Sequence, residues 1–244
     1  MLALLRTRRW ISFTALVIAV IIGFGLLSRW QWNRAEEKRL DRIALETANN
    51  ATPLPLPSAS QLDSTQEWTR YTTQGSFIAE PQVVVRKRPM NGTNGFWVMT
   101  QFRTDAHQLM WVNRGWFAAV GIATALPNIP TAPVGHQTLA GAWRYYEAAQ
   151  TSDLSGLPSG MIPAPAREVL PVKADVPGYL QLTDPKQPGL EVVPTPEIDE
   201  GQNVSYAVQW ILFAMVAIVG WFIFLRREAA DDARRSAESE VSTS

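Results

Sequence analysis

Few residues in this 244-residue sequence could perform catalytic or metal chemistry. It contains no cysteine and two histidines, His107 and His136. The absence of cysteine excludes disulfides, thiolate zinc sites, iron–sulfur clusters and cysteine nucleophiles. No G-x-S-x-G motif and no phosphate-binding glycine motif is present. Adjacent carboxylates at 36–37 and 231–232 would point in different directions on a helix. We therefore predict no catalytic residue, no metal site and no enzymatic activity.

Three side chains near the C-terminus have more chemical interest because they lie in an apolar stretch. Residues 204–225 are 22 consecutive uncharged residues that contain Tyr206, Gln209 and Trp210. Tyr206 and Trp210 are four residues apart and share a helix face. A glutamine surrounded by lipid needs a hydrogen-bond partner in a neighbouring helix or headgroup. Two interpretations stay open: the three residues lie at the membrane interface, or they dock against another membrane protein or a cofactor.

Two apolar blocks predict transmembrane helices at 10–27 and 204–225. As helices they are about 27 Å and 33 Å long, close to the roughly 30 Å of a bilayer's hydrocarbon core. A cleaved signal peptide is the alternative for the first block, but the block is longer than a signal h-region and ends in large and basic residues. We predict a retained anchor. Ala19 and Gly23 give this span a small-residue face that a second helix could approach.

The placement of arginine predicts the orientation. Arg6, Arg8 and Arg9 precede the first span, and Arg226 and Arg227 follow the second. We expect both tails in the cytoplasm and the middle of the chain outside. Basic residues at 28–42 argue for the opposite orientation, but long segments translocate largely regardless of their charge. Only nine residues precede the first span, too few for a transit peptide, so we expect a bacterial cytoplasmic membrane.

The region between the two predicted spans consists of a segment without proline followed by a segment rich in proline. Residues 28–50 contain neither glycine nor proline and predict a juxtamembrane helix, whereas all 17 prolines lie between positions 53 and 196. The zero net charge of the chain argues against nucleic-acid binding. Residues 49–203 hold ten basic and thirteen acidic residues, so we do not expect this region to bind anionic lipid through its net charge. Strands are predicted at 83–85, 96–102, 109–116, 138–146 and 179–183.

The predicted fold is therefore a membrane protein of the α+β class. Two transmembrane helices flank a small antiparallel, barrel-like β domain outside the membrane. The predicted segments are a tail at 1–9, a span at 10–27, a helix at 28–50, the β domain at 51–203, a span at 204–225 and a tail at 226–244, which we expect to be disordered beyond its first turns.

Several stretches resemble one known family in the same order. They are LLSRWQWNRAEEK at 26–38, GSF at 75–77, GFWVMTQF at 95–102, VNRGW at 112–116, LAGAWR at 139–144 and SYAVQWILFA at 205–214. Together with the two-span layout they resemble the surfeit-locus family of cytochrome c oxidase assembly factors, called Shy-type in fungi. The resemblance covers nearly the whole chain.

The resemblance implies a non-enzymatic assembly factor or chaperone in the membrane. Its expected partners are membrane lipids and a haem-copper cytochrome c oxidase, through subunit I or within a respiratory supercomplex. The residues expected to dock a partner or lipid are Trp30, Gln31, Arg34, Asn113, Arg114, Tyr206, Gln209 and Trp210. For Arg114 the alternative is an internal pair with a carboxylate that stabilises the domain.

The resemblance also raises the question of haem a. Some bacterial relatives are reported to bind it, with a histidine just before the tyrosine of the last span as a candidate ligand. Asn203 occupies that position here, and asparagine is a poor ligand for haem iron. We expect no resident cofactor, with a haem a binding and delivery protein as one alternative function and an unrelated extracytoplasmic sensor or binding module as another.

Overall fold

The computed structural model describes residues 5–120 and 126–241. The chain forms two compact units: one contains most of the two long terminal helices, and the other is Ala44–Pro196. The outermost parts of the predicted tails, residues 1–4 and 242–244, lie outside the described residues. In chain order the elements are α1 (Arg8–Asn50), β1 (Leu54–Pro55), α2 (Ala59–Leu62), β2 (Arg70–Val85), β3 (Gly95–Thr104), β4 (Leu109–Ala118), β5 (His136–Tyr145), a 3₁₀ turn (Thr151–Leu154), β6 (Met161–Ile162), β7 (Gly178–Asp184) and α3 (Gly201–Val241).

The terminal helices are longer than the apolar blocks inside them. α1 has 43 residues and includes the predicted span at 10–27 and the helix at 28–50 without a break. α3 has 41 residues and continues to Val241, so the prediction that the tail is disordered beyond its first turns is wrong as far as that residue. This segment is rich in alanine, glutamate and arginine, and it extends a helix that is already nucleated, so each further residue costs little.

The two helices pack against each other along a narrow antiparallel seam. On both helices, most of the less exposed residues recur at alternating intervals of four and three, the spacing of a coiled-coil seam. On α1 these residues are Trp10, Thr14, Val17, Ile21, Phe24, Ser28, Gln31, Ala35, Lys38 and Arg42. On α3 they are Asn203, Ala207, Trp210, Ala214, Ala217, Trp221, Leu225 and Glu228.

The second unit is a mixed sheet of seven strands. β2 pairs antiparallel with β3 and also with β5, β3 pairs with β4, and β7 lies between β4 and β5. The pairings thus run from β2 through β3, β4, β7 and β5 back to β2. The prediction of a purely antiparallel sheet is wrong, because β7 runs parallel to β4, and β1 and β6 run parallel to β2. Short turns force antiparallel pairing on β3 and β4, whereas the long 146–177 segment lets β7 enter from either direction.

The strand β4 lies in the interior of this unit, since both of its faces are buried. Met110 and Val112 pack into one apolar cluster with Phe102, and Trp111 packs into a second cluster with Tyr179. Alternate side chains of a strand point to opposite faces, so both faces of β4 are covered. This explains why β4 begins with a continuous apolar run at 109–112 rather than an alternating pattern.

Candidate docking site

Polar contacts cross the helix seam at the end nearer to residue 200. The Asn203 side-chain amide donates to Gln31 Oε1 over 2.8 Å, and Ser28 Oγ donates to the Ala207 carbonyl over 2.9 Å. One turn further, Lys38 Nζ donates to the Asp199 carbonyl over 3.2 Å. These bonds satisfy polar groups between the helices and fix the register of the pair.

An ion pair completes this end of the seam. Arg42 Nη2 lies 2.9 Å from Glu200 Oε1. The hydrogen bond from Arg42 holds the pKa of the Glu200 carboxyl below its usual range. Both side chains remain partly exposed, so the contact adds modestly to stability.

Two of the residues predicted as docking candidates lie in the seam. Gln31 is engaged by Asn203, as described above. The Trp210 ring stacks on Phe24 with a centroid distance of 5.5 Å. Their main contacts are therefore within the helix pair, and their role in this structure is to hold α1 and α3 together.

Four other candidates lie outside the seam. Trp30 is 56% exposed and Tyr206 is 42% exposed, while Gln209 and Arg34 are also exposed. Successive residues of an α-helix are rotated by about 100°, and α1 and α3 run antiparallel, so all four side chains fall on the same side of the helix pair. Arg34 Nη1 donates to Glu37 Oε2 over 2.8 Å. We refer to Trp30, Arg34, Tyr206 and Gln209 as the outer face.

Gln209 is the polar group of the outer face that lies in the apolar part of α3. Within the described residues its amide has no hydrogen-bond partner, although its neighbours Val208, Ile211 and Leu212 are exposed apolar side chains. A primary amide carries two donors and an acceptor, and in hydrocarbon each unmade bond costs free energy. Gly23 of α1 lies on the same side, and the position of its missing Cβ has nothing within 4 Å. The outer face therefore combines a free amide with space for a close helix.

The remaining two candidates are buried in the sheet domain. Asn113 is 0% exposed and Arg114 is 2% exposed. Their side chains offer no open surface to a partner in this structure. Burial lowers the pKa of the Arg114 guanidinium to about 10.

The predicted carboxylate partner of Arg114 is not found. In the described parts of the chain its polar partners are all neutral oxygens: Gln82 Oε1 at 2.8 Å, the Pro130 carbonyl at 2.9 Å, the Thr131 carbonyl at 2.7 Å and Gln187 Oε1 at 3.4 Å. The guanidinium therefore joins β2, the loop at 130–131 and the segment after β7. Its five donors in a fixed plane suit this role, which lysine cannot reproduce.

A bulge places Arg114 in that position. Val98 of β3 pairs with Gly115 and the next residue, Met99, pairs with Asn113, so Arg114 is the extra residue of β4. Gly115 has φ +145°, and a Cβ there would lie 2.6 Å from the Glu191 carbonyl oxygen. Only glycine permits both this backbone conformation and this approach.

The residues present do not fit a histidine-ligated haem near the last span. Asn203 faces α1 and bonds to Gln31. His107 and His136 belong to the sheet unit, where His136 Nε2 lies 2.9 Å from the Asp105 carboxylate. Among the described residues no group of three His, Cys, Asp or Glu could hold a metal ion. An amide that is already engaged is not an axial ligand of the kind that haem iron takes.

Sequence reasoning missed the seam partner Asn203 and a cavity in the sheet domain. The cavity has a volume of about 750 Å³ and is lined mainly by apolar residues and prolines, with Gln82 and Thr131 beside Arg114. Its walls come from β2, the loop at 126–131 and the segment at 154–162, which are distant in sequence. The seam did leave a signal, because the polar residues Thr14, Ser28 and Gln31 occur at heptad spacing within α1.

Comparison with known proteins gives a consistent result. The SURF1 family model matches residues 17–215. An uncharacterised SURF1-like protein of Mycobacterium tuberculosis is 27% identical over 253 residues, which cover 98% of this chain and 91% of the relative. The cytochrome oxidase assembly protein SHY1 of Saccharomyces cerevisiae is 30% identical over 112 residues, which cover 45% of this chain and 28% of the yeast protein. A SURF1-like protein of Rickettsia bellii is 26% identical over 104 residues, 42% of this chain and 40% of the relative.

Proposed function

The chain belongs to the SURF1 family, and from this premise we propose that it is a membrane-anchored, non-enzymatic factor for assembly or stabilisation of a haem-copper cytochrome c oxidase. The yeast relative SHY1 carries the name of a cytochrome oxidase assembly protein. The partner we propose is subunit I of the oxidase, alone or within a respiratory supercomplex, with the protein acting as a chaperone for it.

The proposed location is the cytoplasmic membrane of a bacterium. The structure has two helices long and apolar enough to cross a membrane, and only 6% of each apolar window is buried. A core helix of a soluble protein would be mostly buried, so this exposure favours lipid as the surroundings. Arg6, Arg8 and Arg9 on one side and Arg226 and Arg227 on the other support cytoplasmic termini and an extracytoplasmic sheet domain.

The proposed docking contact is the outer face of the helix pair, and the free amide of Gln209 is the observation that carries it. In lipid this amide gains most from a helix that offers a complementary polar group. Trp30 and Tyr206 lie at nearly the same level of the pair and suit the boundary between hydrocarbon and headgroups. Arg34, although paired with Glu37, retains donors for a carboxylate or phosphate of the partner.

The sheet domain would present a rigid body to the same partner outside the membrane. Its cycle of strand pairings supports a barrel-like arrangement, and closure of a sheet removes exposed edges. Arg114 and Asn113 would act indirectly, by fixing the loops of this domain rather than by touching the oxidase.

The first experiment is deletion of the gene in its own bacterium. We expect the reduced-minus-oxidised absorbance of haem a in membranes to fall severalfold while oxidase transcripts stay unchanged. Normal spectra would contradict an assembly role. Purified protein co-expressed with haem a synthesis should show no Soret band, whereas a ligated band that changes on substitution of Asn203 would favour haem delivery instead. Failure to co-purify with any respiratory complex would favour a sensor or binding module.

The second experiment tests the outer face. In the deletion strain, the variant Gln209→Leu should restore membrane levels of the protein but recover less co-purified oxidase in mild detergent than the wild type. Val208→Leu is the matched control, because Val208 is exposed on the other side of the same helix. Equal recovery with both variants would show that the amide does not contribute to docking.

A further inference from the structure

Arginine side chains gather at the end of the helix pair opposite to the outer face. Arg8 and Arg9 directly precede the first apolar block, and Arg226 and Arg227 directly follow the second. The antiparallel seam brings these two pairs together, because Arg9 Nη1 donates to Glu228 Oε1 over 3.2 Å, across 219 positions of sequence. Nothing in the linear sequence requires the two pairs to be neighbours.

A second contact confirms that the two helices meet at this level. The rings of Phe13 and Phe224 lie edge to face with a centroid distance of 6.4 Å. Arg9 is one turn below Phe13, and Arg226 is half a turn beyond Phe224. All four arginines therefore lie within about one helical turn of the Arg9–Glu228 contact.

The charge of this cluster is largely uncompensated. With Arg6 it contains five arginines against one acid, Glu228, a net charge of +4, and all five arginines are exposed. In the described structure Arg9 is the one of the five with a carboxylate partner. Arg226 also lies 5.7 Å from the Phe222 ring, a contact that leaves its hydrogen-bond donors free. We refer to Arg6, Arg8, Arg9, Arg226 and Arg227 as the arginine cluster.

At the opposite end of the helix pair, three arginines form ion pairs with acidic residues. Arg34 pairs with Glu37 at 2.8 Å, Arg39 with Glu36 at 3.0 Å and Arg42 with Glu200 at 2.9 Å. Lys38 donates to the Asp199 carbonyl, and residues 28–42 with 199–200 hold five basic and five acidic residues, so this end of the pair has no net charge. An anionic ligand is therefore attracted to one end of the pair and not to the other.

We propose that the arginine cluster binds the headgroup phosphate of anionic phospholipids. This inference rests on the proposed placement of the helices in a membrane. Guanidinium groups bind phosphate through paired hydrogen bonds, and each basic residue near an anionic membrane surface contributes measurably to binding. A free phosphate would use the charge alone. A lipid also uses the exposed apolar side chains Ile11 and Phe224, which lie two residues from Arg9 and Arg226, so the position of the cluster favours the lipid.

The test uses the full-length protein in phosphatidylcholine bilayers that contain a spin-labelled lipid. The motionally restricted fraction of labelled phosphatidylglycerol is compared with that of labelled phosphatidylcholine. We expect the wild type to favour phosphatidylglycerol by at least about threefold at low salt. The preference should fall at high salt, because ions screen exposed charges.

Two double variants locate the effect. Arg226→Gln with Arg227→Gln should remove most of the preference. Arg234→Gln with Arg235→Gln is the matched control, with the same change of charge further along α3, where Asp231 and Asp232 balance the arginines. We expect the control to keep the preference. Equal loss in both variants would mean a general charge effect and would overturn the site.

Three further outcomes have defined meanings. A wild type without lipid preference overturns the inference, and so does competition by inorganic phosphate that abolishes the preference at the same ionic strength. Alkaline carbonate extraction of native membranes is run in parallel. Release of the wild type by carbonate would contradict the membrane placement in the proposed function, whereas a retained protein without lipid preference would contradict this inference alone.

Discussion

The helix pair and the sheet domain place their polar groups in opposite ways. In the helix pair, apolar side chains face outward, and the polar residues Thr14, Ser28, Gln31 and Asn203 lie in the seam between the helices. The sheet domain has an apolar core on both faces of β4, and yet it buries Arg114 in its interior. In both units these named side chains have hydrogen-bond partners: across the seam in the helix pair, and inside an apolar core in the sheet domain.

We attribute the difference to the surroundings proposed for each unit, lipid for the helix pair and water for the sheet domain. A helix satisfies its own backbone, so a helix pair in lipid needs only a few side-chain bonds to set its register. In the sheet domain, long loops must be held against the strands. The buried guanidinium of Arg114 does this by donating hydrogen bonds to several carbonyl and amide oxygens at once. We therefore expect substitutions at buried polar groups to cost far more in the sheet domain than in the seam.

The largest effect is expected for Arg114→Ala. It leaves the Pro130 and Thr131 carbonyls without their donor and creates a cavity, so the free energy of unfolding should fall by about 3–4 kcal/mol. The measurement is denaturant unfolding of the full chain in detergent, followed by tryptophan fluorescence. Arg103→Ala is the control, because Arg103 is exposed on β3. If both variants were equally stable, Arg114 would not hold the loops.

The second largest effect is the loss of stability of the sheet domain at alkaline pH. Burial raises the pKa of the Tyr179 hydroxyl to about 12, and burial also raises the pKa of Tyr146. In the unfolded chain both hydroxyls lose their protons near pH 10. The stability that Tyr179 contributes is therefore fully present below about pH 10 and is lost as the pH rises toward 12, by about 2–3 kcal/mol in total.

The measurement for this prediction is denaturant unfolding at several values between pH 9 and pH 11. The variant Tyr179→Phe should make the loss of stability with pH shallower, because phenylalanine cannot ionise. An unchanged slope in this variant would show that Tyr179 is not responsible.

In the seam we expect a smaller effect from Asn203→Leu. Gln31 loses its partner, but in a membrane such bonds contribute only about 0.6–2 kcal/mol. A double-mutant cycle with Gln31→Leu, read from unfolding in mixed micelles, should give a coupling energy of about 1 kcal/mol. Additive effects of the two substitutions would mean that the hydrogen bond makes no net contribution to the seam.

The smallest effect is expected for Thr14→Val, which keeps the shape of the side chain. Trp221 Nε1 donates to Thr14 Oγ1 over 3.0 Å, and its loss should cost about 0.5–1 kcal/mol. The indole proton of Trp221 should also shift in the NMR spectrum. Thr14→Ser retains the hydroxyl and should leave both quantities nearly unchanged. A similar shift in Thr14→Ser would assign the effect to packing.

Parts of the sheet were predictable because their residues carry local signals. β3 and β4 contain β-branched and aromatic runs, and the structure places strands at Gly95–Thr104 and Leu109–Ala118. Residues 70–82 of β2 were missed, because the polar run at 72–74 and Pro81 do not resemble a strand. A bulge between Phe77 and Gln82 and pairing with both β3 and β5 stabilise it. Such pairing depends on distant residues, which local propensity does not report.

The sequence by itself determined the family, the two apolar helices and the absence of cysteine chemistry, because these depend on composition and on the local order of residues. Only the tertiary structure decided which polar residues face each other. It placed Gln31 and Trp210 in the seam, left Gln209 outside it, and surrounded Arg114 with neutral oxygens instead of a carboxylate. A polar residue in an apolar helix can face either the second helix or the surroundings, and only the packing of the second helix decides between them.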